Sequence, residues 1–259
     1  MGCGYSGRSH LTGLMNSLYQ KDLAYIQAAG FGDFARAAAP EIVRALRAVP
    51  VPVHRVVEVG CGAGPLTTIL AQEGFKVVAI DVSAELLSVA QAACPRAEFR
   101  QGSIYEQEIP ACEAILAIGE PLTYHDSGGA DSRVRDFFRR AANTLPEGGL
   151  LICDVVELGE PPLSGRFWKS GDDWAVLVDT QEDQSSRVLK RRIETFRRIG
   201  DLYRRGAEVH RVRLFDTAEL CAWLQAAGFI VTTAVAYGDF SLSPRRRAFF
   251  CTRTQHSHA

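Results

Sequence analysis

The chain has 259 residues, 47% hydrophobic and 9% aromatic, enough to bury one sizeable core as an ordinary globular domain. A formal net charge of −1 excludes a global field that would gather nucleic acid or an anionic membrane. No apolar run has the length of a membrane span or sits where a signal-peptide core belongs. Seven cysteines, scattered and without a C-x-x-C pair, argue for reduced thiols in a cytoplasmic protein and against a disulfide framework or a metal site.

In chain order, Met1 to Ser6 matches a short myristoylation pattern but lacks a following polybasic cluster, so it reads as a glycine-rich leader. Apolar residues at Leu14, Leu18, Ala24, Tyr25, Ile26 and Ala29 predict one or two short helices, broken at Gly30-Phe31-Gly32, and Pro40 to Val49 predicts another. Residues 1–50 are therefore expected to form a leader and helical cap, and 51–259 the main domain.

Arg55 to Val59 is a short Val-rich run closed by glycine, as a buried parallel strand requires. Gly60, Gly62 and Gly64 alternate through a tight loop, Pro65 stands at a first helical position, and Leu66, Ile69 and Leu70 give that helix an apolar face. After Gly74, Lys76 to Ile80 predicts a second strand with Asp81 at its end. Strand, glycine loop, helix, strand and terminal carboxylate make a ribose-binding βαβ unit. The dinucleotide fingerprint G-x-G-x-x-G is not completed, because Pro65 stands where its third glycine belongs.

The pattern Glu58-x-Gly60-x-Gly62-x-Gly64, with Asp81 seventeen residues beyond Gly64, resembles motif I of the class I S-adenosylmethionine-dependent methyltransferases. The resemblance implies a Rossmann-like, doubly wound α/β fold: a mostly parallel seven-stranded sheet with an antiparallel final strand. It also implies S-adenosylmethionine as cofactor. Backbone from Gly60 through Cys61 and Gly62 to Gly64 would approach the methionine portion, with Glu58 orienting that loop and the amino group. Asp81 would accept the ribose hydroxyls, and Val82 and Ile104 would sandwich the adenine. Ser103 stands where the family usually has an Asp toward the adenine amino group. Tyr19 and Tyr25 could face the methyl donor, where an aromatic face stabilises a cation.

Ser83 caps a predicted helix to about Ala93, Ala97 to Arg100 reads as a third strand, and Ala114 to Ile118 as a fourth, ending in Gly119-Glu120-Pro121-Leu122-Thr123-Tyr124-His125-Asp126. In an open α/β sheet ligands bind beyond the carboxyl ends of the strands, so Gly119 belongs to the cofactor site and Glu120, Tyr124 and His125 are candidates near the transferred methyl. Glu120 or His125 would act as base, Glu120 only if burial raises its pKa, and Tyr124 would position the acceptor. The turn Leu145-Pro146-Glu147-Gly148-Gly149 before the strand Leu150 to Val156 extends the resemblance over residues 53–154.

Gly159 to Gly171 reads as a Pro-, Gly- and Ser-rich excursion. Trp174 to Thr180, Leu189 to Phe196 and Leu202 to Leu214 read as strands, the last two a hairpin about Gly200-Asp201. Residues 157–214 are thus expected to be a small antiparallel insert over the ligand edge. Lys190 to Arg213 carries nine bases against three acids, but Asp154 to Asp183 carries eight acids against two bases, so cross-strand pairing is expected over nucleic-acid binding. The helix Thr217 to Ala227 and strands Phe229 to Tyr237 and Arg246 to Thr254 close the sheet. The expected activity is methyl transfer to oxygen or nitrogen of a small molecule, against two alternatives: a nicotinamide-dependent oxidoreductase or a non-catalytic cofactor-binding module.

Overall fold

The computed structural model describes residues 18–124 and 130–254. The leader and its myristoylation pattern, and His125 with Asp126, lie outside the described residues. The order of elements is α1 (Lys21–Gly30), α2 (Asp33–Ala48), β1 (Arg55–Val59), α3 (Pro65–Gln72), β2 (Lys76–Asp81), α4 (Ala84–Ala93), β3 (Glu98–Gln101), β4 (Ala114–Ala117), α5 (Ala130–Thr144) and β5 (Leu150–Val156). There follow β6 (Gly165–Ser170), β7 (Trp174–Asp183), β8 (Val188–Ile199), β9 (Leu202–Arg213), α6 (Thr217–Ala226), β10 (Phe229–Ala234), β11 (Ala236–Tyr237), β12 (Phe240–Ser241) and β13 (Arg246–Arg253).

The main sheet has seven strands in the order β10-β13-β5-β4-β1-β2-β3, parallel except for β13, which runs antiparallel to both neighbours. Successive side chains of a strand face opposite sides, and here both sides are covered. Val57, Leu151 and Phe249 pack with Phe137 and Phe138 of α5 and Leu224 of α6. Val56, Ile152 and Ala248 pack on the other side with Ile42 and Leu46 of α2 and Leu66 and Leu70 of α3. That two-sided burial is why the strands read as continuous apolar runs.

Three boundaries differ from expectation. Pro40 lies inside α2 instead of starting a helix. Ala38 and Ala39 before it and Ile42, Val43 and Leu46 after it are buried, so one continuous apolar face outweighs the lost backbone hydrogen bond. The excursion after β5 contains β6, which pairs with β7 and makes the insert a four-stranded sheet, β6-β7-β8-β9. Phe229 to Tyr237 is not one strand: β11 turns about Gly238 (φ +58°) to pair with β12. This inward turn buries Tyr237, whose hydroxyl donates to Asp154 Oδ2 at 3.1 Å.

The segment expected as a cap divides in two. The second helix, α2, belongs to the core, whereas α1 packs on the inner face of the insert, with Leu23 and Ile26 against Trp174, Val176 and Ile193. Polar contacts tie the same surfaces: Tyr25 donates to Asp173 at 2.8 Å, Arg204 Nε donates to Asp22 at 2.6 Å, and Lys169 donates to the Gly30 carbonyl at 2.5 Å. The insert's charges therefore pair with α1 and the main domain as well as across its own strands. Among the described residues no helix is long and apolar enough to cross a membrane.

Candidate active site

The glycine loop follows from its dihedral angles. Gly60, Gly62 and Gly64 have φ of +71°, +57° and +76°, a region that costs other residues about 1–2 kcal/mol. The turn brings backbone donors to the end of β2: Gly60 N–H reaches the Ile80 carbonyl at 2.7 Å and Gly62 N–H reaches Asp81 Oδ2 at 2.8 Å. Asp81 Oδ1 accepts from Ser83 N–H at 2.9 Å, and the Ser83 hydroxyl caps α4 by accepting from Leu86 N–H. A Cβ on Gly60 would come within 2.2 Å of Pro121 Cβ, whereas Gly62 and Gly119 face open space. Gly60→Ala should therefore combine left-handed strain with a displaced Pro121 loop. We expect at least about 1–2 kcal/mol of lost stability, a fall of about 2–4 °C in Tm for each kcal/mol, and weaker cofactor binding by calorimetry.

These groups open into a cavity of about 820 Å³. Of the candidates from sequence, Tyr19, Gly60, Cys61, Gly62, Gly64, Asp81, Val82, Ile104, Gly119, Glu120 and Tyr124 all line it. Three others lie outside the lining. Glu58 is buried beneath the loop, where it accepts a hydrogen bond from the Thr67 hydroxyl; burial, with the Asp81 charge adding, pushes its pKa up to about 8. The Ser103 hydroxyl accepts from Tyr105 N–H at 3.3 Å. Tyr25 faces the insert through Asp173. The carboxylate of Asp81 lines the cavity while accepting from backbone N–H groups, and Gly62 and Gly119 leave room beside it. This donor and acceptor set fits a ribose and a small zwitterion. Among the described residues no cluster of metal-ligating side chains exists.

The Gly119–Tyr124 loop is held by Asp154, the one carboxylate in the otherwise apolar β5. Its oxygens accept from Gly119 N–H at 2.9 Å and Glu120 N–H at 3.0 Å. Glu120 is left-handed (φ +66°) and buried, and Arg191 of β8 grips both its carboxylate oxygens. Arg246 bridges Glu120 Oε2 at 3.1 Å and Asp154 Oδ1 at 2.9 Å. Burial alone would raise the Glu120 pKa, but the Arg191 and Arg246 charges outweigh it and hold the carboxyl below its ordinary value. The condition under which Glu120 was expected to act as a base is therefore not met. Burial of Tyr19 and Tyr124 raises both phenols, which touch through their hydroxyls at 3.1 Å.

Sequence reasoning missed Asp154, Arg191, Arg246, Glu208 and His210. His210 is 1% exposed, lines the cavity, and meets Glu208 Oε2 through Nε2 at 2.9 Å. Glu208 also accepts from Tyr19 N–H at 2.8 Å and Gln20 N–H at 2.9 Å, fastening the chain before α1 to the insert. Two signals were present: an acid at the carboxyl end of a buried strand, repeating Asp81, and the E-V-H alternation that puts Glu208 and His210 on one face of β9.

Residues 56–149 match the profile of a family described as a methyltransferase domain. A protein of Geobacillus sp. (strain WCH70), named for methyltransferase activity without a stated acceptor, is 29% identical over 72% of this chain and 77% of its own length. An S-adenosylmethionine-dependent methyltransferase from Clostridium acetobutylicum superposes with a TM-score of 0.76 at 19% identity, covering 90% of this chain and 98% of that one. A sugar N-methyltransferase from a Streptoalloteichus species superposes with a TM-score of 0.74 at 18% identity, over 98% and 99% of the two chains.

Proposed function

We propose that the chain, whose residues 56–149 match a methyltransferase-domain family, is a class I S-adenosylmethionine-dependent methyltransferase that methylates oxygen or nitrogen of a small molecule held between the glycine loop and the insert. The observation that carries this reading is the shared cavity: the glycine loop, Asp81 and the Gly119–Tyr124 loop open into one space walled by α1 and the inner face of the insert. A volume near 820 Å³ with a mostly apolar wall suits a small ligand.

S-adenosylmethionine supplies an electrophilic methyl group on a sulfonium. The chain's task is then to hold the acceptor close and in line, and to keep water out. Asp81 binds the ribose, backbone at Gly60 to Gly64 approaches the methionine portion, and Val82 and Ile104 flank the adenine. Glu58 supports the glycine loop from beneath. Tyr19 and Tyr124, neutral and hydroxyl to hydroxyl, position the acceptor where Phe31, Val176, Val178 and Ile193 offer an apolar wall. The α1–insert contact acts as the lid. The solved sugar N-methyltransferase supports placing amino sugars first among acceptors to try.

Incubation with methyl-labelled S-adenosylmethionine and a metabolite extract tests the reading, with calorimetric titration by the same cofactor and by NAD alongside. Label should enter a small molecule, and the methyl donor should bind while NAD does not. Tight NAD binding without methyl-donor binding would favour the oxidoreductase. Methyl-donor binding without turnover on any acceptor would favour a binding module.

A further inference from the structure

We propose that His210, oriented by Glu208, takes the proton from the acceptor's nucleophile, during methyl transfer from a hydroxyl or before it from an ammonium, so that the site serves acceptors arriving in either form; this rests on the methyl-transfer reading above. The alternation of β9 puts Glu208, His210 and Val212 on the inner face of the insert. Val212 forms a β-bridge with Tyr124, so the loop beyond β4 is stitched to β9 two residues from His210. The imidazole thereby lies beside the group expected to position the acceptor: ring centroids are 5.0 Å from Tyr19 and 5.8 Å from Tyr124.

The hydrogen bonds set the tautomer. An ionised carboxylate only accepts, so the 2.9 Å contact to Glu208 places the ring proton on Nε2 and leaves the lone pair on Nδ1, which has no other partner among the described residues. Glu208 is itself ordered by the Tyr19 and Gln20 N–H groups. Among the described residues, the charged and titratable groups around the ring are Glu208 on its own strand, Arg191 opposite it in register on β8, Tyr19 before α1, and Tyr124 beyond β4. The Arg191 charge is matched by Glu120, so a second cation forming at His210 meets the Glu208 carboxylate.

The proton and electrons balance in this step. The acceptor's oxygen or nitrogen forms a bond to the methyl carbon, the electron pair of the broken carbon–sulfur bond stays on sulfur, and Nδ1 takes the acceptor's proton. His210 ends as an imidazolium paired with Glu208. A hydroxyl loses its proton during transfer, whereas an ammonium loses it beforehand to free the lone pair. The arrangement of acid, imidazole and nucleophile is that of an activated nucleophile in general.

Two measurements decide the matter. Long-range proton–nitrogen NMR spectra of histidine-labelled protein with S-adenosylhomocysteine, assigned against His210→Gln, should show the proton on Nε2 and a bare Nδ1. A proton on Nδ1 overturns the proposal without reference to activity. With the labelled methyl donor and a metabolite extract as acceptor source, His210→Gln should lower the turnover rate at least about 10²-fold. Affinity for S-adenosylmethionine should stay within twofold, the rise of rate with pH should disappear, and imidazole should partly restore His210→Ala. A variant that turns over within threefold of wild type, with the same pH profile, overturns the dyad alone. Wild type that transfers no label overturns the methyl-transfer reading itself.

Discussion

Asp81→Ala should lower affinity for S-adenosylmethionine by about 10²–10⁴-fold. The ionised carboxylate would lose two hydrogen bonds to ribose, each about 1.5–3 kcal/mol, and tenfold in affinity corresponds to about 1.4 kcal/mol. The same substitution releases Gly62 N–H and Ser83 N–H, so part of its effect is structural. The two parts separate by measurement. Thermal unfolding of the free protein reports the structural loss, and the rise of Tm on adding the cofactor reports the binding loss. Burial raises the Asp81 pKa, against the backbone N–H groups of Ser83, Gly62 and Val82. Since the ionised form accepts from ribose, affinity should weaken as pH falls, starting at a higher pH than for an ordinary aspartate. An Asp81→Ala protein that binds within threefold of wild type, at any pH, would exclude ribose as the partner of this carboxylate.

The glycine-loop side of the cavity was legible because its constraints are local. Three glycines in five residues need no distant partner to be recognised, and Asp81 is fixed by lying at the end of the next strand. The side of the cavity facing the insert is assembled from residues far apart in the chain. Glu120 meets Arg191 and Arg246, and Tyr19 meets Tyr124, contacts that no spacing along the chain encodes. The nine bases between Lys190 and Arg213 were legible as a charge excess, but their use was not: Arg191 turns inward to Glu120, while Arg192 on the opposite face lies 3.9 Å from Asp179. One residue of β-strand phase separates those two outcomes. The location argument brought Glu120 to the cavity, yet the sign of its pKa shift depended on two guanidiniums from other strands. Glu58 shows the converse: recognised by motif, it accepts from Thr67 of α3 and lies outside the cavity lining.

Glu120→Gln should destabilise the fold by about 3–5 kcal/mol, because removing one partner of a buried ion pair strands the other. The side chain is almost isosteric, so packing is kept and the electrostatic loss is isolated. Among the described residues Arg246 then keeps only Asp154 as a carboxylate partner, and Arg191 loses the carboxylate it grips where both line the cavity. Against a typical total stability of about 5–15 kcal/mol this is a large fraction, whereas Glu147→Gln on the exposed turn before β5 should stay within about 0.5 kcal/mol. The pH dependence has a definite sign. The folded-state pKa of Glu120 is depressed, so its contribution is fully present above the ordinary glutamate value and is lost as pH falls through the depressed one. Wild type should therefore lose stability to acid over that window, and Glu120→Gln should lack that component while starting from a lower plateau. Denaturant unfolding at a series of pH values checks both. The same variant separates Glu120 from His210 as the base. A carboxylate locked ionised between two guanidiniums takes no proton near neutral pH, so the surviving turnover of Glu120→Gln should keep the wild-type rise of rate with pH, which His210→Gln should lose. If that rise disappears with Glu120 and persists without His210, the proton goes to the carboxylate, and the charge network described around it would have to be rearranged when the acceptor binds.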